Sequence, residues 1–148
     1  MKRLKNVVLG VLIVVFVVIG AISVYGLVYP DSWYNERCWT WYYSAPATPS
    51  YNCLGYATGS MTWEWPWGAS NPTSSQVDTY LATLGYKTTG TWAYIISYGS
   101  SSAIKHFSKV TGTEWCRAKW GQLERFNHGN WDPYVSWFYG PKVKLYYK

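Results

Sequence analysis

The hydrophobic pattern of this chain changes character twice. Residues 7–29 (VVLGVLIVVFVVIGAISVYGLVY) form an unbroken run of 23 without a charge. At a rise of about 1.5 Å per residue the run spans roughly 33 Å as a helix, enough for a hydrocarbon core of about 30 Å. Lys2, Arg3 and Lys5 precede it, and Pro30 and Asp31 follow. That asymmetry predicts a single-pass membrane protein with its N-terminus in the cytoplasm and its C-terminal domain outside. A cleaved signal peptide is the competing reading. The length of the apolar core and the lack of a clear small-x-small site favour an uncleaved anchor. A buried core helix of this length would need a polar face, and none is present.

From residue 31 the pattern breaks into short pieces. Residues 31–50 are aromatic without a helical period. Trp39, Trp41 and Tyr43 alternate with their neighbours as in a short strand, which ends in a turn run at Pro46 and Pro49. Residues 53–59 predict a short helix with Leu54, Tyr56 and Ala57 on its buried side and capping oxygens in 50–52. Residues 63–72 predict a loop. Over 74–86, Val77, Leu81 and Leu84 recur at helical spacing, Ser75 and Asp78 make a capping-box-like start, and Gly85 supplies the stop. The period then shortens to two. Residues 92–98, 103–110 and 113–120 predict strands, residues 127–133 a loop, and residues 142–148 a final strand at an edge because of its lysines. The expected fold class is α+β, with helices packed on an antiparallel sheet behind an N-terminal transmembrane helix. The expected organisation is a basic flank (1–6), an anchor (7–29), an aromatic connector (30–50) and the α+β domain (51–148).

Charge adds little to this picture. Of the 13 basic residues, three lie in the first five positions, which leaves ten against seven acidic residues beyond them. A scattered net +3 is too weak to argue for nucleic acid as a partner. It is compatible with an anionic cell envelope. Composition adds more: all 11 tryptophans fall after residue 31. Much of this aromatic surface must be core, and the rest is available to line a groove. Trp63, Trp65 and Trp67 stand as candidates for either role.

Candidate chemistry centres on YNCLGYATG (51–59). Cys53 has four possible roles there: packing residue, half of a disulfide, metal ligand or nucleophile. Thiols outside a membrane tend to pair, and three is an odd number. A Cys38–Cys116 disulfide leaves Cys53 free, whereas a bonded Cys53 is no nucleophile, and the sequence leaves both open. With two histidines and no C-x-x-C there is no zinc-type spacing, so no metal and no cofactor is expected. A helix-start cysteine and a histidine distant in sequence but adjacent in space is the layout of a thiol nucleophile and its base. His106, on a predicted strand, is the histidine that could face Cys53. His128 falls in a predicted loop. Asn52 is either a cap or an oxyanion donor, and the amide of Cys53 is the stronger oxyanion candidate.

The blocks YNCLGYATG (51–59), WEWPW (63–67), LATLGY (81–86), IKHFSKV (104–110), AKWGQLERFNH (118–128) and YGPKVKLYYK (139–148), in that order, resemble the NlpC-type cell-wall cysteine peptidase superfamily, nearest to an uncharacterised bacterial branch of it. The resemblance implies a circularly rearranged papain-like fold, with Cys53 as nucleophile and His106 as general base and acid. It also implies an orienting polar group between residues 114 and 119, where Glu114, Arg117 and Lys119 are the charged choices and Glu114 is the candidate. The functional expectation is a membrane-anchored exported thiol hydrolase acting on amide bonds of cell-wall peptides. Its alternative is a non-catalytic anchored subunit that binds an envelope protein or a peptidoglycan-type glycan through the Trp-rich face. An exported toxin or effector is a third reading, weakened by the tether.

Overall fold

The computed structural model describes residues 26–148. One antiparallel sheet of six strands dominates them: β1 (Tyr42–Ala45), β2 (Ala93–Ser100), β3 (Ala103–Gly112), β4 (Trp115–Lys119), β5 (Arg125–Gly129) and β6 (Lys142–Tyr147). Their spatial order is β1-β5-β4-β3-β2-β6, so β2 to β5 form a meander and β6 returns beside β2. Three short helices accompany the sheet: α1 (Asp31–Asn35), α2 (Cys53–Thr58) and α3 (Ser74–Thr83).

Strand alternation sends side chains to two cores. On one face Ile95, Ile104, Phe107 and Tyr146 pack against Cys53, Leu54 and Ala57 of α2 and against Val77 and Leu81 of α3. On the other, Ile96, Tyr98, Cys116, Ala118 and Phe126 pack with Tyr34, Cys38, Trp120 and Tyr134. Helix α3 begins with a complete capping box: Thr73 accepts from the Gln76 amide, and the Gln76 side chain accepts from the Thr73 amide. The cap is therefore Thr73, two residues ahead of the Ser75 start that the sequence predicts. The Asp78 carboxylate instead holds Lys144 and Tyr146 of β6, tying α3 to the sheet edge.

Several expectations are corrected. The fold is mostly antiparallel sheet with few short helices, of 5, 6 and 10 residues. An α+β layer of helices behind a transmembrane helix does not describe it. The predicted anchor lies outside the described residues except at its end, and among the described residues no helix is long and apolar enough to cross a membrane. Residues 26–29 are not helical. Leu27 packs on the second core, the Val28 amide donates to Glu124 Oε1 at 2.5 Å, and the Tyr29 ring stacks on Trp33 at 4.4 Å. These residues have protein partners, so among the described residues nothing supports the single-pass membrane keyword or the cytoplasm-to-outside localisation.

Residues 125–129, read in part as loop, form β5. Phe126 and His128 are buried and their neighbours half-exposed, an alternation that the flanking Asn and Gly residues obscure. Residues 30–50 contribute α1 and the edge strand β1, which pairs with β5.

Candidate functional site

The stretch around Cys53 folds as capping chemistry dictates. Asn52 precedes α2 in extended conformation, and its side-chain oxygen accepts from the Gly55 amide at 3.0 Å and the Glu64 amide at 3.2 Å. Its Nδ2 donates to the Glu64 carbonyl at 2.8 Å. Asn52 therefore caps the helix and pins the following loop. Gly59, at φ 87°, ends the helix in the left-handed conformation. Gly55 is required by contact: a Cβ there would lie 1.9 Å from the Thr62 carbonyl oxygen. The Glu64 carboxylate completes the clamp by accepting from Thr58 at 2.6 Å and from Tyr80 of α3 at 2.9 Å.

This clamp sets Trp63 and Trp65 at the rim of a cavity of about 490 Å³, whose walls also include Cys53, Lys105, His106, Gly121 and Tyr139. The three tryptophans divide. Trp63 is half-exposed and Trp65 leans on the core, and both line the cavity. Trp67 stacks near Phe107 and Tyr80 and closes the first core.

Cys53 and His106 thus meet at one cavity, but they reach it from different sides of β3. Phe107 belongs to the core that holds Cys53, so its neighbour His106 points the other way. The His106 ring lies flat on Tyr139 at 3.7 Å and 3°. Its Nε2 shares a hydrogen bond with the Tyr134 hydroxyl at 3.3 Å. Its Nδ1 is buried without a hydrogen-bond partner, so the thiol and the imidazole are not bonded to each other. Glu114 sits in the exposed β3–β4 turn at φ 59° and does not hold the imidazole. Tyr134 does, from a segment that strand spacing could not point to. The signal for it is weak: one tyrosine in a loop that also carries Trp131 and Phe138.

Burial sets the ionisation of the pair. It pushes the Cys53 thiol up to about 11, against the pull of the Phe107 backbone, the amides of Leu54 and Cys53, and the charge of Lys119. Burial, then His128, pushes His106 well below the usual imidazole range. Both groups are neutral at pH 7.

The other candidates lie behind the sheet. Cys38, Cys53 and Cys116 are all free thiols. The Cys38 thiol donates to the Thr40 carbonyl at 3.0 Å, and Cys116 is fully buried beside Ser108 and Tyr98. His128 is buried, and its Nδ1 bonds the Asn130 carbonyl at 3.3 Å. Among the described residues no three His, Cys, Asp or Glu side chains converge as a metal-ligand set.

The domain is an antiparallel sheet in which Cys53 and His106 line one cavity. The chain belongs to the family described as Domain of unknown function (DUF7689), whose profile matches residues 42–148. No curated protein and no solved structure matches the chain. The match overturns the resemblance to NlpC-type peptidases: the family found is a different one and carries no peptidase assignment. The keywords drawn from that resemblance, peptidase-like and papain-like, go with it.

Proposed function

We propose that this domain is a thiol hydrolase acting on amide bonds, with Cys53 as nucleophile and His106 as its proton acceptor. The observation that carries the reading is that Cys53 and His106, whose Nδ1 is buried without a hydrogen-bond partner, line one cavity walled by Trp63 and Trp65. A buried imidazole nitrogen without a partner carries an unmet desolvation cost, and a thiol or substrate proton arriving there removes it. In this scheme His106 Nδ1 takes the thiol proton as Sγ attacks the carbonyl carbon. The oxyanion is met by the amide of Cys53. Collapse breaks the C–N bond, and the amine leaves with the proton held by His106. Water then hydrolyses the thioester and regenerates the thiol. Tyr134 holds the far nitrogen and Tyr139 fixes the ring plane. The cell-wall destination rested on the anchor and the resemblance, so amide is the substrate class that remains.

One observation favours a second reading, a non-catalytic domain that binds a partner protein or glycan through the cavity and its tryptophans. The thiol is raised, the imidazole lowered and the two unbonded, a resting pair with little nucleophilic character at pH 7. A panel of peptide amides, followed by amine release and by intact-mass detection of a Cys53 thioester, separates the two. Turnover lost in Cys53→Ala is expected. No Cys53-dependent turnover, together with ligand binding that survives Cys53→Ala, overturns the hydrolase.

A further inference from the structure

We propose that Lys119 is the positioning cation of this site: a buried ammonium, fixed on the Cys53 side of the sheet, that stabilises the thiolate whenever it forms. This deepens the hydrolase reading but concerns the ionisation of the thiol, which is measurable without any substrate.

Lys119 is the last residue of β4 and is fully buried. Ala118 and Trp120 belong to the core behind the sheet, so strand alternation sends Lys119 to the side that holds Cys53. Its Nζ donates to the Thr48 carbonyl at 2.9 Å and the Gly121 carbonyl at 2.6 Å. It also sits 5.3 Å from the centre of the Tyr51 ring, two residues before the cysteine. Gly121 and Cys53 line the same cavity. Two of the three ammonium protons are thus committed to neutral carbonyls, which orient the charge without neutralising it.

A buried lysine is rarely kept without a counter-charge. The structure holds two groups that supply one. Glu124, fully buried in the β4–β5 connection, interacts with Lys119 and accepts from Tyr34 at 2.7 Å. Cys53 is the other, and the attraction runs both ways: Lys119 favours the thiolate, and the thiolate favours the ammonium. Around the thiol the remaining titratable neighbours are Tyr139, His106 and Lys105. His106 is neutral, which leaves Lys119, among the described residues, as the buried cation that acts on Cys53.

The test is the pH dependence of Cys53 alkylation by iodoacetamide, read by peptide mapping so that Cys38 and Cys116 are followed separately. In Lys119→Met the midpoint is expected to rise by about one unit, a roughly tenfold slower reaction at pH 8. Lys119→Arg, which keeps the charge, is expected to stay within about threefold of the native protein. A folded Lys119→Met with a native alkylation profile overturns the proposal. The pH profile gives a second test. Burial draws the Lys119 ammonium down to about 8, so the rise of alkylation with pH should flatten as the cation is lost, and Lys119→Met should remove that inflection. An inflection that survives in Lys119→Met also overturns it. Failure of the hydrolase reading leaves these profiles intact, whereas failure of this one leaves amide turnover intact.

Discussion

The front face of the sheet holds one thiol and the rear face two, and it is the front one, Cys53, that lines the Trp-walled cavity. Cys53, in front, and Cys116, behind, are both pushed up to about 11, and Cys38 to about 12, each chiefly by burial. Desolvation alone therefore does not mark a reactive cysteine. What differs is the company. Cys116 faces the neutral hydroxyls of Ser108 and Tyr98, and Cys38 donates to a backbone carbonyl. Cys53 lies among backbone amides and a fixed ammonium, at the wall of a cavity. A lysine also acts on both Cys116 and Cys53, the exposed Lys142 on the first and the buried Lys119 on the second, so the differences are the burial of the cation and the cavity.

Exchange of the two thiols for alanine tests this contrast most severely. Cys53→Ala is expected to lower amide turnover by at least about 10³-fold while the melting temperature falls by only a few degrees. Cys116→Ala is expected to leave turnover within about threefold and to cost about 1–2 kcal/mol, because it opens a small void in a sealed core. The two assays, hydrolysis and thermal melting, should rank the variants in opposite order. Equal effects on turnover would dissolve the contrast between the faces.

Acid tests the buried histidines, and His128 reports on the rear face. His128 is buried there and drawn down from 6.5 to about 4, first by burial and against the hydrogen bond to Asn130. Between those values the unfolded chain binds a proton that the native state excludes, so stability rises with pH across this window and is lost as pH falls through it. A shift of this size is worth about 3 kcal/mol from His128 alone. Urea midpoints measured from pH 7 to pH 4 should fall accordingly, and His128→Gln should flatten the slope. His106, shifted in the same direction, adds to the native slope.

Gly55→Ala attacks the frame of the front face. The new Cβ would overlap the Thr62 carbonyl oxygen at 1.9 Å, and a backbone carbonyl yields only if the loop carrying Trp63 and Trp65 lifts. A loss of about 2–3 kcal/mol is expected, read by denaturant unfolding, together with increased proteolysis within residues 60–70.

How much of this was legible in the sequence follows the range of the forces involved. The α2 and α3 helices are written in local chemistry: Asn52 as cap, Val77 and Leu81 at helical spacing, glycines at the stops. Strands β2, β3, β4 and β6 show their period of two. β5 hides because Asn127, Gly129 and Asn130 carry turn signals, while its strand identity comes from pairing with β4 and β1. The apolar run of residues 7–29 matched a membrane span by length, lack of charge and flanking asymmetry; of it residues 26–29 are described, and there Val28 and Tyr29 are partners of Glu124 and Trp33. Cys53 and His106 as cavity neighbours were legible as residue types. Their support was not. The family resemblance implied Glu114, but the group that reaches His106 comes from a loop folded over the back of the sheet, and no local pattern encodes that contact. Lys119 did carry a faint signal: a lysine between Ala118 and Trp120 in an alternating strand has its parity opposite to a core face.

Tyr134→Phe has the smallest expected effect and joins the two faces. Tyr134 is packed behind the sheet against His128 and Tyr98, yet its hydroxyl holds the imidazole that lines the front cavity. Removing the hydroxyl leaves His106 with neither ring nitrogen bonded, since Nδ1 already has no partner. The stability cost should be about 1 kcal/mol. Turnover should fall about tenfold, because an imidazole free to rotate spends less time presenting Nδ1 to the thiol. A purely structural role would lower stability and leave the pH–rate profile in place. Loss of orientation should instead lower kcat with KM unchanged and shift the acid limb of the profile, since the ring gains freedom to seek water and a proton. The alkylation profile of Cys53, by contrast, should stay native if Lys119 sets its ionisation. The two supports of the site would then separate: a cation from the front face for the sulfur, and a hydroxyl from the rear face for the base.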